Sequence, residues 1–237
     1  MIGERQRGDD APVIVLIELG PGLVGEWRHD DISSYAGAVR SVQTSPHVSF
    51  SFSDAGSIFG HTLVTFPFTS AGALAILQSR MHDCWVRTFG ATMKDDQRYL
   101  PTDCFETFPL PPGYTDAPAL EAVGRAYHDH RAALMVAREQ GMTPTYNRFH
   151  RESDAADDIA ELRRLHDDMD RAVLRAYGWD DLADAVGSWA APAFLTDETE
   201  DDHQYQGRLF WPAAFRDELL ARLLKLNGER AAAEGRR

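Results

Sequence analysis

The chain has 237 residues, 43% hydrophobic and 26% charged, a balance that excludes extensive disorder and suffices to bury one sizeable core or two modest ones. Its formal net charge of −13 has the wrong sign for a free-standing, non-specific nucleic-acid binder, whose affinity comes mostly from neutralised phosphates. The longest strongly apolar stretch, residues 12–19, is far short of the roughly 20 residues a membrane-spanning helix requires, and residues 4–7 are followed by no signal-peptide core, so no membrane partner and a cytoplasmic location are expected.

In chain order, Val13-Ile14-Val15-Leu16-Ile17 reads as a buried strand. Gly20-Pro21-Gly22 behind Glu18 superficially resembles a glycine-rich cofactor loop. Pro21 removes an amide donor such a loop would use, and a turn between strands is the preferred reading. His47-Val48-Ser49-Phe50-Ser51-Phe52 alternates at period two, and residues 62–66 form another strand closed by Pro67. Ser70 is a candidate N-cap for a single helix in which Leu74, Leu77, Met81 and Trp85 share a face, ending before Gly90. That helix delivers the chain into a polar loop, residues 91–98. Cys84 and Cys104 are read as reduced, buried thiols, and His82 with them as core rather than as a metal site, because helical residues two apart do not share a face.

Composition shifts at Leu110-Pro111-Pro112-Gly113 from β-branched and aromatic residues to a region rich in Ala, Leu, Arg and Asp. A domain boundary is placed there, giving residues 1–112 and 113–237. Residues 117–139 are a helix; residues 154–177 are another, striped by Ile159, Leu162, Leu165, Met169, Val173 and Tyr177 and stopped by Gly178. Phe215, Leu219, Leu223 and Leu226 mark the last helix. The three are expected to bundle together or to cover a partner domain. The expected fold class is α+β: a mixed α/β domain followed by a helical C-terminal domain.

Four patches carry a family resemblance. The first is Ile76-Leu77-Gln78-Ser79-Arg80-Met81-His82-Asp83-Cys84-Trp85, then Lys94-Asp95-Asp96-Gln97-Arg98-Tyr99, then Asp103-Cys104-Phe105-Glu106-Thr107-Phe108-Pro109-Leu110-Pro111. The second is Gly141-Met142-Thr143-Pro144-Thr145-Tyr146-Asn147. Leu165-His166-Asp167-Asp168-Met169 leading to Tyr177-Gly178-Trp179, and Leu223-Leu224-Lys225-Leu226-Asn227-Gly228-Glu229-Arg230, complete the set. In this order they resemble the target-recognition and C-terminal helical region of the MmeI-like (type IIL) adenine-specific DNA methyltransferases of restriction–modification systems. The resemblance implies that the recognition domain lies on double-stranded DNA with its helix-proximal loops in the major groove, while S-adenosylmethionine binding and chemistry belong to an upstream domain. The family holds the flipped adenine with an Asn-Pro-Pro-Tyr-type motif; here the only Pro-Pro is Pro111-Pro112, between Leu110 and Gly113. No catalytic residue, metal site or cofactor is therefore expected in this chain, with S-adenosylmethionine confined to the parent enzyme.

Given the resemblance, Lys94 and Arg98 are candidates for DNA contact, since a cationic side chain neutralises phosphate and arginine pairs bidentately with guanine; the alternative is a solvated surface charge. Thr92 is a candidate phosphate donor, and Asp95 or Asp96 either accepts from cytosine N4 or caps the turn. Arg87 either clamps the DNA backbone or is an exposed helix residue. Tyr146, Asn147 and Arg148 either touch the sugar–phosphate backbone or fasten the helical region to the rest of the enzyme, the latter being preferred. The negative charge is uneven: residues 152–202 hold 16 acidic residues against Arg163, Arg164, Arg171 and Arg175, whereas residues 80–98 hold four basic and three acidic. The expected function is the sequence-recognition portion of an N6-adenine DNA methyltransferase in restriction–modification or phage defence, partnered by a methyltransferase catalytic domain or subunit. The competing reading is an acidic helical interaction module, or a remnant that no longer binds DNA.

Overall fold

The computed structural model describes residues 14–17, 24–27, 38–53, 63–66, 68–93 and 96–235. Strands β1 (Ile14–Ile17), β2 (Val24–Trp27), β3 (Ala38–Val42), β5 (Phe50–Ser53) and β6 (Leu63–Phe66) form a sheet in the order β2-β1-β6-β3-β5. β1 and β2 pair antiparallel, with Ile17 opposite Val24; the Gly20-Pro21-Gly22 turn lies outside the described residues. β1 runs parallel to β6, and β3 pairs antiparallel with both β5 and β6. In β3, β5 and β6 the β-branched and aromatic residues supply the buried face: Val39, Phe50 and Phe66 are fully buried. Of the expected alternation from His47 onward only Phe50–Ser53 is strand.

The helix predicted from Ser70 is two helices. Ser70 caps α1 (Ala71–Gln78) through its hydroxyl, which accepts from Ala73 N at 3.1 Å, as the sequence implies. The run then breaks at Ser79, whose backbone is extended (ψ 153°), before α2 (Arg80–Phe89) ends at Gly90. Ser79 serves both ends, its hydroxyl donating to Ile76 O at 2.7 Å and accepting from His82 N. The Arg80 N–H at the start of α2 is taken by the Asp170 carboxylate at 2.9 Å, an anion seated on a helix N-terminus. Leu74, Leu77, Met81 and Trp85 are buried as expected, and His82, Cys84 and Cys104 have no solvent exposure. The cysteines are free thiols in the core.

Beyond α3 (Pro101–Cys104), the chain passes through a 3-10 turn into α4 (Pro118–Ala137), α5 (Met142–Phe149), α6 (Asp157–Ala176), α7 (Asp180–Val186) and α8 (Ala213–Glu234). A short hairpin, β9 (Ala193–Leu195) with β10 (Arg208–Phe210), precedes α8. The α6 stripe is core, with Ile159, Leu162, Met169 and Val173 fully buried, and Gly178 ends the segment with φ +74°. α4 and α6 pack on each other and on α1. α8 departs from them: its Phe215, Leu219 and Leu223 enter the larger core cluster, Arg230 donates to Leu110 O and Asn227 to Thr107 O, so it covers α2 and the segment leaving it. No helix among the described residues is long and apolar enough to cross a membrane.

α1 is buried on every side because it is built of small and apolar residues between sheet and helices. Its closest approach to α4 is at Gly124, where an added Cβ would stand 1.9 Å from Ala71 O and 3.2 Å from Ala75 Cβ. Gly124→Ala is expected to destabilise the chain by about 2–3 kcal/mol, because overpacking against a carbonyl outweighs the roughly 1 kcal/mol gained in helix propensity. Urea denaturation reads this directly, and a stabilised variant would contradict the close contact.

β5 ends the sheet, and the backbone N–H and C=O of its Phe50 are met by side chains rather than by another strand. Gln78 Oε1 accepts from Phe50 N at 2.9 Å, while the fully buried Arg131 donates to Phe50 O at 2.5 Å and to Gln78 Oε1 at 2.9 Å. This closes an edge that would otherwise present unpaired backbone.

Candidate nucleic-acid interface

The stretch expected as a polar loop after α2 is a β-hairpin. β7 (Ala91–Met93) and β8 (Asp96–Arg98) pair antiparallel, and β8 pairs on its other side with β4 (Thr44–Ser45). Tyr99 N donates to Gln43 O at 2.7 Å and extends this attachment. Gln97 fixes the hairpin to α2, its buried amide donating to Val86 O at 3.1 Å and Ala91 O at 3.0 Å. Gly90 permits the contact, since a Cβ there would lie 2.4 Å from Val86 O and 2.7 Å from Gln97 Nε2. The residues after α2 are thus held in a three-stranded sheet anchored to the helix, an arrangement that places a side chain more closely than a loop can.

Thr92 is exposed and stands opposite Gln97, whereas Arg98 stands opposite Ala91 and Thr44. Successive residues of a strand point to opposite faces, so Thr92 and Arg98 share the hairpin but not a face. Arg98 is partly exposed, with no side-chain partner among the described residues. Asp96 is also partly exposed, whereas Lys94 and Asp95 lie outside the described residues.

Arg87 is a correction. It is 4% exposed, its Nε is 2.9 Å from Asp83 Oδ1, its Nη1 donates to Gln204 O at 2.8 Å, and its guanidinium faces the Tyr205 ring. Neither an exposed helix position nor a clamp on DNA fits a cation directed into the protein, beneath the segment that leads to β10.

The three α5 residues separate. Tyr146 is buried and accepts from Arg131 at 2.8 Å, which links it to Gln78 and to strand β5. Asn147 Oδ1 accepts from His47 Nε2 at 2.8 Å. Both join the helical half to the sheet-bearing half. Arg148 stays local, paired with Asp154 at 2.8 Å.

His47 belongs to a cluster the sequence did not single out. It stacks on His150 with centroids 5.3 Å apart, and its Nδ1 faces Arg208 Nη1 at 3.3 Å, while Arg208 Nη2 donates to Pro46 O at 2.6 Å. Burial pushes His47 down to about 4 against the opposing hydrogen bond from Asn147, and burial with the Arg208 cation pushes His150 well below its usual range. Burial and the nearby Arg87 lower Arg208 to about 10, still cationic at neutral pH. Isolated histidines and one arginine, spread over more than 160 positions, carry no sequence signal of their proximity.

Residues 28–112 match the family model described as MmeI, target recognition domain. Over these residues the chain is similar to an MmeI target recognition domain. The matched span contains β3 to α3, and with them the hairpin and the candidates Arg87, Thr92, Lys94, Asp95 and Arg98. The chain is also 26% identical over 162 residues to DNA methyltransferase A of Bacillus subtilis (strain 168), an alignment covering 64% of this chain and 17% of that protein. The solved structure of the type IIL restriction–modification enzyme MmeI in complex with DNA aligns at 21% identity with a TM-score of 0.49, over 61% of this chain and 19% of that one. The matched region is thus less than a fifth of either relative.

Proposed function

We propose that this chain is the DNA sequence-recognition portion of a site-specific N6-adenine DNA methyltransferase, serving restriction–modification or phage defence in the cytoplasm. The observation that carries the reading is the target-recognition match over residues 28–112, which encloses a surface hairpin projecting from α2. In this reading the hairpin enters the major groove of double-stranded DNA, Arg98 reads a base edge, Thr92 and Lys94 hold phosphates, and Asp95 accepts from cytosine N4. Residues 1–112 read DNA. Residues 113–237 brace that domain through Tyr146 and Asn147 and present an acidic surface to a methyltransferase catalytic domain or subunit, which supplies S-adenosylmethionine and chemistry.

The test supplies the chain with a methyltransferase core and maps methylated adenines over a randomised substrate library. Arg98→Ala is expected to relax one position of the recognised sequence by about 1–3 kcal/mol, roughly 5- to 150-fold in discrimination, leaving the other positions unchanged. Methylation with an unaltered sequence profile would remove Arg98 from base reading. Retention of the whole profile after replacement of the hairpin would favour the interaction-module alternative.

A further inference from the structure

Next to the hairpin sheet, where β4 runs on into Pro46 and His47, an open cleft of about 350 Å³ is lined by these residues, the end of α5 and the start of β10. Its lining includes several side-chain donors. Arg208 uses one N–H each on Gln204 O, His47 Nδ1 and Pro46 O, so two of its five remain for a ligand. Asn147 accepts from His47 through Oδ1, which leaves its amide N–H groups free. His150 accepts from Leu209 N at Nδ1, so its proton sits on Nε2. Arg151 is exposed, and its guanidinium has no hydrogen bond or ion pair among the described residues.

The electrostatic setting is unusual for a chain with 37 acidic residues against 24 Lys and Arg. The carboxylate whose field reaches Arg208, that of Asp83, is already paired with Arg87 at 2.9 Å. Two guanidiniums therefore face the cleft without a carboxylate in contact. A largely buried cation lacking a counter-ion is costly, and the cost falls when an anion enters. His47 is three residues beyond Thr44, the partner of Arg98, which puts the cleft on the order of 10 Å from the reading strand. A duplex covers that distance within a few base pairs at about 3.4 Å each.

We infer that this cleft is a second anion site, in which Arg208, Arg151 and Asn147 clamp a backbone phosphate of the duplex whose bases the hairpin reads. The inference rests on the proposed DNA-reading function. It assigns the helical half a direct part in holding DNA, through the donors Arg151, Asn147 and Arg208.

The test is fluorescence anisotropy of the full chain with a randomised-sequence duplex, titrated from low to moderate salt. Loss of one phosphate contact in Arg151→Ala is expected to weaken binding uniformly across sequences and to reduce the slope of log affinity against log salt by about 0.9, with Arg151→Lys restoring the slope. Asn147→Ala, which removes no charge, should weaken binding and leave the slope unchanged. Duplex binding with Arg98-dependent sequence preference but a slope insensitive to Arg151→Ala would overturn the cleft and leave the recognition reading standing. A chain that bound no duplex at any salt concentration would overturn both.

Discussion

Asp170→Ala is expected to lower the unfolding free energy by about 3 kcal/mol, read from urea denaturation, the cost of depriving a buried charge of its buried partner. Asp170 has a side chain with no solvent exposure and meets Arg80 twice, at the backbone N (2.9 Å) and at Nη1 (2.7 Å). Burial would raise its carboxyl, yet the neighbouring His166 and Arg80 hold it below the usual carboxylate range. Arg80 itself is 2% exposed, with Nε on Leu209 O and Nη1 also on Asp167. Removing the carboxylate therefore leaves the buried guanidinium only the partly exposed Asp167 as counter-ion and uncovers the N–H at the α2 start, at the break between α1 and α2. Asp167, whose side chain is 30% exposed, is the control: Asp167→Ala is expected to cost less than about 1 kcal/mol, since water replaces it. Equal effects from the two substitutions would show that burial does not decide the strength of this joint.

The same joint shows why part of the fold was hidden in the sequence. Leu74, Leu77, Met81 and Trp85 keep helical spacing across Ser79, so periodicity continues through a break that is stabilised by Asp170, 90 residues further on. The α6 stripe and its Gly178 stop were legible because their signals are local: apolar residues three and four apart, then a residue that tolerates positive φ. The hairpin was not. Ala91-Thr92-Met93 is too short for its alternation to register, Asp96-Gln97-Arg98 is polar throughout, and β8 gains its second partner from Thr44–Ser45, more than 50 residues upstream. Charge misled at Arg87 for a related reason. A lone arginine on a helix reads as exposed, and only the fold supplies the Asp83, Gln204 and Tyr205 contacts that let it turn inward. Thr92 and Arg98 are candidates through resemblance alone, whereas the His47, His150 and Arg208 cluster exists only once three distant segments meet.

Those histidines lead to the second large effect. The folded chain is expected to lose several kcal/mol of stability between pH 6.5 and about 4.5, where most carboxylates of the unfolded chain are still ionised. His82, fully buried with Nε2 on the Tyr99 hydroxyl at 3.0 Å, is pushed by burial down to about 3; His47 falls to about 4 and His150 well below its usual range. Each is neutral when folded and takes a proton near pH 6.5 when unfolded, so the unfolded state binds more protons throughout this window and stability rises with pH. The stabilisation is complete above the unfolded value and is lost as pH falls towards the folded one. Each imidazole contributes up to about 1.4 kcal/mol per pH unit, and total stabilities are only about 5–15 kcal/mol. Denaturation midpoints measured across this range give the slope. His82→Gln, which retains a polar partner for Tyr99 but does not titrate, should flatten that slope by about one imidazole's share whatever its effect on stability at pH 7. A slope unchanged by that substitution would mean that His82 is protonated within the folded core, against the burial that surrounds it.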